Sequence, residues 1–100
     1  MQVFQDDLVY WGSLITGPTC NFLSIRFGRD EPDELIFTAK AGEMSPNLNI
    51  IRQELKRVRH EFPVKGDLFP HEVIYRGDDT ASVGCYRRVI DCILREVKKA

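Results

Sequence analysis

The sequence predicts an α+β fold: a three-stranded antiparallel meander followed by a helix, a short strand and a C-terminal helix (β-β-β-α-β-α), with two-layer sheet/helix packing. Three observations predict it. Runs rich in β-branched and aromatic residues, separated by turn-forming and polar clusters, occupy residues 8–40. After Gly42 the period becomes that of a helix. The 100 residues, 43% hydrophobic and 29% charged, supply one core and leave no chain for a second, so residues 1–100 read as a single domain.

Leu8 to Ile15 and Cys20 to Phe27 are rich in β-branched and aromatic residues, and Thr16-Gly17-Pro18-Thr19 between them is a turn-forming cluster, the pattern of a hairpin. The polar run Gly28 to Asp33 leads into a third strand, Glu34 to Lys40, with Leu35, Phe37 and Ala39 on one face. Leu48, Ile51, Leu55, Val58 and Phe62 then recur at spacings of three and four, which defines an amphipathic helix. Ser45 suits its N-cap, Pro46 its first position, and Pro63 its stop. His71 to Tyr75 is a short strand, and Asp78-Asp79-Thr80 offers capping chemistry for a second helix. Val83, Tyr86, Val89, Ile90, Ile93, Leu94 and Val97 form the apolar stripe of that helix, with Lys98 and Lys99 at its C-terminal dipole.

Charge and cysteine content exclude several classes of protein. The 14 basic and 15 acidic residues leave a net charge of -1, which argues against a basic nucleic-acid coat, an acidic tail and a disordered chain. Met1 to Asp7 has no basic start and two acidic residues where a signal's apolar run should begin. No stretch approaches the roughly 20 apolar residues of a membrane helix. Three cysteines are not a disulfide framework. A reducing, cytoplasmic location is the expectation.

One sheet face draws attention. Asn21, Leu23, Ile25 and Phe27 share the core face of the second strand, leaving Cys20, Phe22, Ser24 and Arg26 on the other. If Ile15 pairs with Cys20, then Val9, Trp11 and Ile15 join Phe22 there, as does Ile36 of the third strand. A two-layer domain needs only one apolar face. Three accounts compete: a helix covers the second face, a partner covers it, or the register slips by one residue and returns Trp11 to the core.

A second feature is a basic flank on the first helix, where Arg52, Lys56 and Arg59 project together while Glu54 and Glu61 take the opposite side. Such a row suits phosphates. Residues 1–50 hold three basic and seven acidic residues, whereas residues 51–100 hold eleven and eight. Against a nucleic-acid surface, Arg57 can pair with Glu61, and Asp91 with Arg87 or Arg95, as on a solvated helix face. No aromatic residue interleaves with the basic row as a stacking platform would need.

Catalytic signals are sparse. His71 could pair with Cys20 or Cys85 as a thiol–imidazole couple, but the sequence does not place them together. Cys85 and Cys92 sit about 10 Å apart along one helix, too far to share a zinc ion, and read as buried inert thiols. Arg76-Gly77-Asp78 matches an adhesion tripeptide but is a good turn. Asp6, Asp7, Asp30, Glu31, Asp33 and Glu34 lack calcium-loop spacing and read as charged turns.

The expectation is a small non-catalytic protein-interaction module using Val9, Trp11, Ile15, Phe22 and Ile36, with no cofactor and no metal. A homodimer is its simplest form, and an inhibitor, immunity or adaptor-type binder its other form. The alternative is nucleic-acid binding through Arg52, Lys56 and Arg59; a third reading is a thiol-dependent enzyme or small-ligand-binding protein.

Overall fold

The strands and helices were located in a computed structural model that describes the chain except residues 17–18, 43–44, 65 and 100, and only the backbone of Thr16, Thr19 and Ser45. The elements are β1 (Val3–Asp6), β2 (Val9–Thr16), β3 (Thr19–Gly28), β4 (Ile36–Lys40), α1 (Ser45–Arg57), β5 (Phe69–Arg76) and α2 (Val83–Lys99), with a 3₁₀ turn at Arg59–Glu61. The five strands form one sheet in the order β1-β2-β3-β5-β4. This is the α+β class and the two-layer packing that the sequence predicts.

The meander exists, but it consists of β1, β2 and β3. The sequence reading assigns no strand before Leu8. Asp7, with φ of 53°, makes a tight turn that folds Val3–Asp6 back onto β2, and an Asp tolerates that left-handed conformation better than most residues. The predicted third strand is correctly located in sequence and differently placed in space. β4 lies at the far edge and runs parallel to β5, which inserts between it and β3. Parallel neighbours need a crossover, and α1 provides it. The hairpin of β2 and β3 has the predicted register, with Ile15 opposite Cys20 and Thr16 opposite Thr19; Gly17 and Pro18 lie outside the described residues.

Both helices pack on one face. Tyr10 and Leu14 of β2, Leu23, Ile25 and Phe27 of β3, and Val73 and Tyr75 of β5 share one core with Ile51, Leu55 and Val58 and with the apolar stripe of α2. Tyr10 meets Phe27 edge-on, ring centres 5.7 Å apart, a favoured aromatic geometry. The helical periodicity of residues 48–62 ends sooner than the apolar spacing suggests. α1 stops at Arg57, tightens into the 3₁₀ turn, and leaves Phe62 half-buried ahead of Pro63. The cap of α2 is Ser82, whose Oγ accepts from the Cys85 N–H at 3.3 Å. Asp79, predicted as capping chemistry, instead accepts the Phe22 N–H at 2.7 Å and ties the β5–α2 connection to β3. Any capping by the Ser45 side chain lies outside the described residues.

Candidate functional site

With both helices on one face, the other face of the sheet is bare among the described residues. The register aligns its side chains in rows across the strands. One row runs Phe4, Trp11, Ser24, Ile74 and Thr38; the next runs Ser13, Phe22, Arg76 and Lys40. Phe4 and Trp11 stack at 6.0 Å between ring centres. Trp11, Phe22, Ser24, Lys40, Ile74 and Arg76 line a shallow depression of about 330 Å³ at the middle of the face.

The five residues that the sequence assigns to this face all lie on it, but not in one cluster. Trp11 and Phe22 are central. Ile15, 70% exposed, stands opposite Cys20 at one end, whereas Ile36, 54% exposed, lies with Val9 in the row at the other end. Ile36 is remote from Trp11 because β5 separates β4 from β3. Sequence reasoning misses Phe4 and Ile74, which belong to the central rows. Phe4 alternates with Val3 and Gln5 and was legible as the outer side of a strand; Ile74 needed the insertion of β5 to be known.

Charges of both signs surround this apolar centre. Arg26 and Glu72 approach at 3.5 Å, and Thr38 donates to Glu72 at 3.0 Å. Arg76 holds Asp78 through two hydrogen bonds of 3.1 and 3.0 Å, and this contact lowers the Asp78 pKa below its usual value. The Arg76-Gly77-Asp78 string is thus a self-paired turn, with Gly77 N–H donating to the Lys40 carbonyl.

The basic row opens onto the helix side of the sheet, with Arg52 and Lys56 on α1 and Arg59, expected on the same helix, in the 3₁₀ turn that follows it. Arg52, Lys56 and Arg59 line a groove of about 640 Å³ whose apolar surface comes from Leu35, Phe37, Leu55, Phe62 and Phe69. Arg52 places its guanidinium 5.1 Å from the centre of the Phe37 ring, within cation–π range. The opposite flank of α1 faces α2, not solvent. Glu54 is buried, accepting from Arg57 at 2.7 Å and from Arg87 at 2.8 and 3.0 Å. Arg57 also donates to Asp91, and Lys98 to Glu61. These contacts replace the local pairs expected of Arg57 with Glu61 and of Asp91 with Arg87 or Arg95. The Arg87 contact, then Arg57, hold the Glu54 pKa below its usual value against the opposing effect of burial.

The thiol–imidazole couple is not assembled. His71 sits against Gly28, its Nε2 2.5 Å from the Asp30 carbonyl, at the end of β3 remote from Cys20. Cys85 opens α2 beyond the other end of β5. All three cysteines are free; Cys20 is exposed, and Cys85 and Cys92, expected buried, are half-buried. The described residues contain no group of three His, Cys, Asp or Glu able to hold a metal ion, and no helix long and apolar enough to cross a membrane. No protein family, curated protein or solved structure matches the chain.

Proposed function

We propose that the protein is a non-catalytic interaction module whose bare sheet face docks a second copy of itself. The observation that carries this reading is the one-sided packing of the helices, which leaves Phe4 exposed and Trp11, Phe22 and Ile74 only half-buried on a face that no helix covers. Large aromatic side chains at the centre of a patch, with a charged border, are the composition of a protein interface. Self-association is favoured over other partners by the border itself. A two-fold contact sets a surface against its own copy, so a single-signed border would repel. Here Arg26 accompanies Glu72, and Arg76 with Lys40 accompanies Asp78. The overall charge of -1 adds little repulsion.

Trp11 is the chain's one tryptophan, so its fluorescence reports on this face. Light scattering after size exclusion should give a dimer, and dilution should shift the emission to the red as Trp11 meets water. Trp11→Arg should give a folded monomer at every concentration. A wild-type protein that is monomeric at high concentration, with emission independent of dilution, overturns the homodimer. A dimer that survives both Trp11→Arg and Phe22→Ala places its interface elsewhere.

A further inference from the structure

We infer that the groove beside α1 binds a small amphipathic carboxylate, its apolar tail on the aromatic floor and its acid group on the basic row. This site lies on the helix side of the sheet and is separate from the proposed dimer face. The floor consists of Leu35 and Phe37 from β4 and its approach, Leu55 from α1, Phe62 from the segment joining α1 to β5, and Phe69 at the start of β5. At about 640 Å³ the groove falls within the range that encloses small ligands.

Charge complementarity decides what sort of tail-bearing molecule fits. Arg52, Lys56 and Arg59 stand at spacings of four and three, on one side of the groove. Among the described residues none of the three has an ion-pair partner, although Arg57, Arg76, Arg87 and Lys98 all do. A single carboxylate, Glu31, lines the groove from the β3–β4 connection, so positive charge predominates. Arg52 is held over the floor by its contact with Phe37, which keeps a cation beside apolar surface. A neutral apolar ligand leaves that row unused, and an amine is repelled by it. A carboxylate satisfies both parts, because a guanidinium binds it through parallel hydrogen bonds. A single nucleic-acid strand could set phosphates on the cations and stack a base on the rings, so short DNA is the competing ligand in the test.

Decanoate, below its micellar concentration, is the probe, with decanol and decylamine as matched controls. Calorimetry and the aromatic-ring NMR signals of Phe37, Phe62 and Phe69 follow binding to the full chain. Decanoate should bind at one site, shift those signals and lose affinity as salt rises. Decanol and decylamine should each bind about tenfold more weakly, since each forgoes the charge-assisted contact. Arg52→Gln with Arg59→Gln should weaken decanoate about tenfold and leave decanol unchanged. Leu35→Glu, on the connecting segment, should abolish decanoate binding without unfolding the chain. Equal binding of decanoate and decanol overturns the role of the basic row. Absence of shifts at the three rings overturns the site, and a short DNA strand that binds there more tightly than decanoate replaces it with a phosphate surface.

Discussion

Asn21 and Asn47 are buried among apolar side chains, and their amides determine how the β5–α2 connection closes the core. Asn47 Nδ2 donates to the Asp79 carbonyl at 2.9 Å and to the Tyr86 hydroxyl at 2.7 Å, while Asn21 Nδ2 donates to the Thr80 carbonyl at 2.6 Å. Asn47→Ala strands the buried Tyr86 hydroxyl and the part-buried Asp79 carbonyl and should destabilise the fold by about 1–3 kcal/mol, read as a lower urea midpoint with an unchanged slope. Gly28→Ala probes a tighter spot. An added Cβ would lie 2.5 to 2.8 Å from three ring atoms of His71. The ring must swing away and lose the Asp30 carbonyl, a cost of about 1 kcal/mol that a His71→Ala background should relieve. Alternation already puts Asn21 on the core face. Its partner was not legible, because the Thr80 carbonyl is 59 residues along the chain and belongs to a loop without periodicity.

The pattern of apolar residues located β2, β3, β4, β5 and both helices, the strands by β-branched and aromatic runs between turn clusters and the helices by their period. It said nothing of the order in which strands pair. The polar connection at residues 29–35 was the available signal, being longer than hairpin loops usually are. The charges between helices were equally hidden, because Glu54 reads as one acid on a helix flank until α2 is laid against it. Glu54→Gln should therefore loosen the contact between α1 and α2, lowering stability by about 1–2 kcal/mol at neutral pH. The pH dependence has a definite sign. Arg87 and Arg57 depress the Glu54 pKa from its ordinary 4.5, so its contribution is complete above that value and is lost as pH falls through the lower native pKa. Asp79 acts oppositely: burial raises its pKa, so its ionisation on raising the pH from acid disfavours the native state. Urea midpoints of wild type and Glu54→Gln should accordingly converge in acid, and a constant difference down to about pH 3 would refute the Glu54 contribution.

The near balance of charge averages two different surfaces. The bare sheet face carries both signs around aromatic residues, while the groove on the other side concentrates unpaired cations above an apolar floor. β4 serves both, because Ile36, Thr38 and Lys40 point to the bare face and Phe37 to the groove. A sheet buried on one side and exposed on the other can carry two independent sites, since alternate residues of a strand do not compete for the same space. Each surface then has its own dependence on salt. Apolar docking of two copies should persist as salt rises, because it rests on burial, whereas carboxylate binding should weaken, because it rests on exposed charge. Substitutions should separate in the same way. Trp11→Arg should yield a monomer that binds decanoate as the wild type does, and Arg52→Gln with Arg59→Gln should yield a dimer that binds it about tenfold more weakly. The wild type and these two variants, measured by light scattering and calorimetry at low and high salt, test this separation. Loss of decanoate binding in a folded Trp11→Arg monomer would show that the groove is complete only in the dimer, and would overturn the independence of the two faces.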